Sequence, residues 1–147
     1  MSVRYPESFY KSVGNYACYF LCLQKIAENY TGFDYDTETL IQICSAHYMV
    51  NGKQWLTFNW DNYDDPANFD VNDPESILNM LTGKKWAVSI EPSTYKPKKN
   101  ELYIECWKNP RTGLKHFRLR DWDPLSNSVT VKEGKLDSYR VFRLMSW

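Results

Sequence analysis

Tyr16, Tyr19, Leu23, Ile26 and Tyr30 recur at the three- and four-residue spacing of one helical face, which predicts a helix from Asn15 to Tyr30. Ser12 or Asn15 can cap its start, and Gly32 lies just past its end. The first half, Tyr16-Ala-Cys-Tyr-Phe-Leu-Cys-Leu23, is apolar on every side, so protein should surround it. Asp36, followed by Leu40, Ile41, Ile43 and Cys44, predicts a second helix to about Val50, closed by Asn51-Gly52. Lys53 to Val71 is rich in Asp, Asn, Trp and Phe without a clear period and reads as a long irregular excursion. Asp73-Pro74-Glu75 supplies a cap, a proline at the first helical position and an early acid, starting a short helix that stops at Gly83.

Beyond Gly83 the pattern changes to strands. The candidates are Trp86 to Ile90, Leu102 to Trp107, Leu114 to Arg120, Ser128 to Lys132 and Ser138 to Leu144. Asn109 to Gly113 and Glu133-Gly134-Lys135 are turn sequences between them, so the block reads as a meander. Helices first and antiparallel strands second make an α+β arrangement. Without repeats or a Pro/Gly/Ser linker, residues 1–147 read as a single domain.

Lys plus Arg and Asp plus Glu both number 18, so no net charge draws the chain to nucleic acid or to anionic lipid. No apolar run approaches the roughly 18 residues of a membrane span, and no signal peptide is visible, so the expected setting is cytoplasmic. The four cysteines, Cys18, Cys22, Cys44 and Cys106, form no C-x-x-C pair, which argues against a zinc site and for free thiols. Six Trp and eleven Tyr need shaped pockets; those near Gln54 to Trp60 and Tyr63 can wall a cleft, or pack as a satellite cluster beneath a loop. Lys96-Pro-Lys-Lys-Asn100 reads as a solvated hairpin tip.

Scarcity narrows the chemistry, because the chain holds only two histidines. His47 lies late in the second helix without an orienting acid, whereas His116 precedes Asp121 and Asp123 closely. His116 is the better base. Cys18 sits in the first turn of the first helix, where unpaired N–H groups and the macrodipole favour a thiolate. A buried small residue is the plain alternative for it. Cys106 is a minor candidate: a five-residue loop at Asn109 to Gly113 would set it opposite His116 across two strands.

Gly14-Asn-Tyr-Ala-Cys-Tyr-Phe-Leu-Cys22 opening a helix, then His116-Phe117 on a strand and Asp123-Pro124-Leu125, resembles the papain-like cysteine peptidases, particularly the small bacterial and phage-associated set. Val71 to Asn79, Leu81 to Trp86, Asp123 to Ser128, Val131 to Leu136 and Ser138 to Phe142 resemble that set as well. The resemblance implies a buried N-terminal helix packed on an antiparallel sheet or half-barrel, and hydrolysis of a peptide or peptidoglycan-type amide without metal or organic cofactor. It implies Cys18 as nucleophile, His116 as base and Asp123 as the orienting acid, with Asp121 as the other choice. Two departures stand out. His116 and Asp123 are seven positions apart, an odd offset that needs a bulge or tight turn to bring them together. Tyr10 to Ala17 holds no glutamine for an oxyanion hole, leaving Asn15 as the candidate donor. The competing expectation is a catalytically silent domain of the same fold, binding a protein or small ligand as a phage accessory factor; acyl transfer shares the same thiol and imidazole.

Overall fold

The computed structural model describes residues 17–62, 69–124 and 134–145. Helix α1 runs Cys18–Thr31 and buries Phe20, Cys22, Leu23, Gln24, Ile26 and Ala27. Its cap position falls to Ala17, which makes no side-chain cap bond, and not to Ser12 or Asn15, which lie outside the described residues. The buried Gln24 fastens α1 to the chain that follows it: its amide donates to the Tyr35 carbonyl at 3.0 Å and accepts from Thr37 Oγ1 at 2.9 Å. Glu28 accepts the Tyr35 N–H at 3.0 Å, and the Tyr35 hydroxyl donates to the Leu81 carbonyl.

Helix α2, Thr37–Ala46, starts where Asp36 accepts from the Thr39 N–H at 3.1 Å and the Thr39 hydroxyl at 2.6 Å. It ends earlier than the expected Val50. His47 is already extended, and the next residues turn back as a narrow hairpin in which the Trp55 N–H meets the His47 carbonyl and the Met49 N–H meets that of Lys53. Asn51-Gly52 therefore closes a hairpin and not a helix.

The excursion after Lys53 contains two short strands, β1 at Leu56–Thr57 and β2 at Asp70–Val71, paired antiparallel. Asn72 Nδ2 ties them by donating to the Gln54 carbonyl at 2.9 Å and Thr57 Oγ1 at 2.6 Å. Leu56, Phe58 and Phe69 are buried in the same cluster as the helices and the sheet, so the aromatic excursion joins the main core and is not a satellite of it. Tyr63 lies outside the described residues. Helix α3, Pro74–Thr82, has the expected ends. Asp73 accepts from the Ser76 N–H and hydroxyl, and Gly83 takes a left-handed φ of 68° that spares a side chain its usual steric penalty.

Four strands form the main sheet: β3 (Trp86–Pro92), β4 (Leu102–Lys108), β5 (Lys115–Arg118) and β6 (Lys135–Leu144), in the order β3-β6-β4-β5, all antiparallel. This is not the expected meander, because β6 inserts between β3 and β4. Val141 and Phe142, adjacent and both fully buried, give β6 two covered faces, which suits a central strand and not an edge. The predicted strand Ser128 to Lys132 and Glu133 lie outside the described residues, while Lys135 of the expected turn already belongs to β6. One face of the sheet presents Val88, Leu102, Ile104, Phe117 and Phe142 to the core that α1 enters. On the other face Arg143 bonds Glu101 at 2.7 Å and Glu91 at 3.3 Å; Glu101 also accepts from the Tyr95 hydroxyl at 2.6 Å and the Lys98 N–H at 2.8 Å. That carboxylate organises the basic turn, whose lysines are exposed as expected. The described residues thus form a mixed α+β arrangement of three α-helices and antiparallel sheets. Among the described residues no helix is long and apolar enough to cross a membrane.

The outer edge of β3 is capped by α3. The Trp86 N–H donates to Asn79 Oδ1 and the Val88 N–H to Glu75 Oε2, both at 2.7 Å, while Pro92 has no N–H to offer. Such caps hide a row of donors that would otherwise template pairing with another chain. Replacing Glu75 and Asn79 together by Ala should cost about 1 kcal/mol per lost bond and raise self-association. Urea melts and light scattering against concentration would check both.

Candidate active site

The position of His116 is set by the turn between β4 and β5. Asn109 Oδ1 accepts from the Arg111 N–H at 2.9 Å and the Thr112 N–H at 3.2 Å, the Gly113 N–H returns to the Asn109 carbonyl, and Gly113 itself has a φ of 74°. The Asn109 N–H also donates to the Leu114 carbonyl at 2.9 Å, so Asn109 belongs to the ladder and the loop proper is Pro110 to Gly113. With one loop residue fewer than expected, the register slips by one. Lys108 pairs with Lys115, Trp107 with His116 and Cys106 with Phe117. Cys106 is therefore not the cross-strand partner of the imidazole: it lies on the α1 face, fully buried, with its thiol pushed up by that burial.

His116 shares its face with Trp107 and Arg118. Glu105 holds these neighbours in place, accepting from Trp107 Nε1 at 2.9 Å and lying 3.6 Å from Arg118 Nε, while the Arg118 guanidinium sits 5.4 Å from the Trp107 ring centre. The imidazole itself is only 2% exposed.

Asp123 reaches that imidazole by a tight turn. The Leu119 N–H donates to the Trp122 carbonyl at 2.8 Å and the two residues form a bridge, with Arg120 and Asp121 at the corner. If Leu119 faces Trp122, the next pair outward is Arg118 with Asp123, and Arg118 is on the His116 face. The turn thereby cancels the odd offset. His116 Nε2–H donates to Asp123 Oδ1 at 2.7 Å, between side chains that are 2% and 11% exposed. Asp121 is exposed at the corner and takes no part in this bond.

Cys18 is the first residue of α1 and is half-buried. Burial pushes its thiol up, outweighing the backbone groups of Phe117, Tyr19 and Cys18 itself that favour the thiolate. Phe117 is the residue after His116, and its ring stacks on Tyr19 with centres 4.4 Å apart. The sulfur thus meets the β5 backbone one residue from His116. No hydrogen bond joins Cys18 to the imidazole, whose ring bond among the described residues is to Asp123; the Asp123, Arg118 and Glu105 charges of the His116 face act on Cys22, one turn further along α1. The helix start alone does not set the thiolate; desolvation overrides it.

The remaining candidates are packed. Burial pushes Cys22 up strongly and Cys44 up to about 12. His47 Nδ1–H donates to the Ile43 carbonyl at 2.8 Å and its ring lies 4.4 Å from that of Trp55, which makes it a helix-end packing residue. Asn15 lies outside the described residues. All four cysteines are free thiols, and among the described residues no group of three or more His, Cys, Asp or Glu is placed to hold a metal ion. Trp107 as the cross-strand neighbour of His116 was not foreseen; the ladder bond of Asn109 is the signal that would have found it.

The buried imidazole N–H needs an acceptor. Asp123→Ala should cost about 1–3 kcal/mol, and Asp123→Asn, which keeps a carbonyl oxygen, should cost less; denaturant melts of the two variants beside the parent would check the order.

No curated protein and no solved structure matches the chain. A family model described as protein of unknown function, DUF261, matches residues 3–144, nearly the whole length, and the chain therefore belongs to the DUF261 family.

Proposed function

We propose that the chain is a papain-like cysteine peptidase or amide hydrolase acting on a peptide or peptidoglycan-type substrate, in a bacterial or phage-encoded setting. The observation that carries this reading is the buried 2.7 Å bond from His116 Nε2 to Asp123, made through a turn that brings the carboxylate back onto the histidine face. An imidazole fixed at Nε2 by a carboxylate keeps Nδ1 for proton exchange with a thiol, the division of labour in a Cys-His-Asp mechanism. Cys18 approaches the same strand at the adjacent residue, from a helix start.

In this mechanism the Cys18 thiol, neutral at rest because burial raises it, passes its proton to His116 Nδ1 as the sulfur attacks the amide carbon. The imidazolium, held by Asp123, then protonates the leaving amine, and water hydrolyses the thioester with His116 as base. The thiol and Nδ1 are to come within hydrogen-bond reach when substrate binds, as apo geometries commonly tighten at that step.

A second reading has its own support. The raised thiol and the lack of a bond between Cys18 and His116 suit a silent domain of this fold that binds a protein or small ligand. Turnover separates the two. A panel of blocked peptides and muropeptides should yield new amine with the parent chain, none with Cys18→Ala, about 10²- to 10⁴-fold less with His116→Ala, and an unchanged amount with His47→Ala. Absence of turnover across the panel, with Cys18 alkylated no faster than the three buried thiols, would leave the binding domain. Because the Cys18 pKa lies above its ordinary value, the thiolate fraction is small at pH 7 and grows with pH, so iodoacetamide labelling of Cys18 should climb steadily from pH 7 to 9; a flat profile would show a thiolate already formed at neutrality.

A further inference from the structure

The peptide group that joins His116 to Phe117 has a fixed direction. The Asn109 N–H bonds the Leu114 carbonyl, so by the two-residue repeat of an antiparallel ladder the next bonded pairs are Trp107 with His116 and Glu105 with Arg118. The His116 carbonyl therefore points to β4. In a trans peptide the Phe117 N–H then points the opposite way, to the side of β5 remote from β4. It is held in that direction, because the residues before and after it are both pinned to β4.

Helix α1 brings Cys18 to the same place. Tyr19 stacks on the Phe117 ring, and Cys18, the residue before it, sets its sulfur against the Phe117 backbone. After the loss of water, that backbone N–H is the strongest influence on the thiol, and it favours negative charge on the sulfur. The Tyr19 and Cys18 N–H groups act in the same sense; as the first donors of a helix they have no carbonyl within it to bond. The direction of the ladder and the surroundings of the sulfur thus put one N–H at one spot by separate routes.

A donor beside a resting sulfur is close to the oxygen of any carbonyl that the sulfur attacks, because sulfur and oxygen are then bonded to the same carbon. We infer that the Phe117 N–H, together with the Cys18 N–H, is the oxyanion donor of this site, in the role for which the segment before Cys18 offers no glutamine. The inference rests on Cys18 acting as the nucleophile. As the S–C bond forms, the carbonyl π pair moves to oxygen, the thiol proton passes to His116 Nδ1, and the negative oxygen accepts from both N–H groups. When that pair returns, the C–N bond breaks and the amine leaves with the proton from His116. Donor and base sit on consecutive residues of one pinned strand, so the donor needs no reorganisation as charge develops.

The test uses the full chain with Phe117→phenyllactic acid, introduced by stop-codon suppression, which turns the N–H into an ester oxygen and keeps the ring. The probe is acetyl-Ala-alaninal, labelled with carbon-13 at the aldehyde, which a thiol converts to a hemithioacetal without any amide being cleaved. The parent should form the adduct, Cys18→Ala should form none, and Asn15→Ala should match the parent. The ester should hold the adduct at least about tenfold more weakly and cut any peptide turnover roughly 10²-fold. Should the ester chain fail to fold, Phe117→Pro beside Phe117→Leu makes the same comparison. Both lose the ring, only proline lacks the N–H, and an edge strand tolerates it where the N–H points outward; the proline variant should be the weaker by at least about tenfold. An adduct as tight without the N–H as with it, or no adduct in the parent, overturns the assignment; one kept by the ester and lost in Asn15→Ala hands the role to Asn15. An adduct that weakens as expected while no peptide is cleaved keeps the donor and removes the hydrolase.

Discussion

The register of β5 against β4 is the constraint on which the candidate site rests. A ladder has a period of two, so a slip of one residue would exchange the faces of the whole strand. His116 and Phe117 would then exchange faces, breaking the stack on Tyr19 and removing the imidazole from Asp123. Nothing in the apolar pattern of Lys115 to Arg118 guards against this strongly. The guard is polar and local: Asn109 closes the turn with its side chain and enters the ladder with its backbone. Two consecutive tight turns, at Asn109 to Leu114 and at Leu119 to Trp122, thus decide where His116 and Asp123 point.

Helix positions were legible because their ends carry chemical punctuation. Asp36, and the run from Asp73 through Pro74 to Gly83, state a boundary that depends on a few neighbouring atoms. The ends that failed lack it: α1 begins after Ala17 without a side-chain cap, and α2 stops at Ala46 because a hairpin further on claims the backbone of His47 and Met49. Sheet order was illegible for a different reason, since the meander is the default for successive strands and only the paired burial of Val141 and Phe142 marks β6 as central. At the site, scarcity of histidine selected His116, and the odd offset to Asp123 correctly demanded a turn. The side of β5 that Cys18 would meet was not readable, because it depends on how α1 rests against a strand edge nearly a hundred residues away.

Electrostatics at this edge oppose each other. A helix start and three backbone contacts favour negative charge on Cys18, while its removal from water disfavours it more. The His116 and Asp123 pair sits in the same low-exposure region but meets its need internally, one group donating and the other accepting. The buried polar groups elsewhere follow the second pattern: Gln24 between α1 and the following loop, and Glu101 between Arg143 and Tyr95, are each ringed by partners. Cys18 and Cys106, the two candidate nucleophiles, are both held as neutral thiols by the loss of water around them.

The placement of β6 carries a consequence for how the molecule is made. Both of its neighbours, β3 and β4, precede it in the chain, yet neither pairs with the other. Synthesis from the N-terminus therefore produces two strands with a vacancy between them, and the sheet closes only when the latest of the four arrives to fill it. Long-range pairing of this kind slows folding, and until the gap is filled the apolar faces of Val88, Ile104 and α1 have no lid. A nascent chain halted before Lys135 would have no continuous sheet for its helices to pack on.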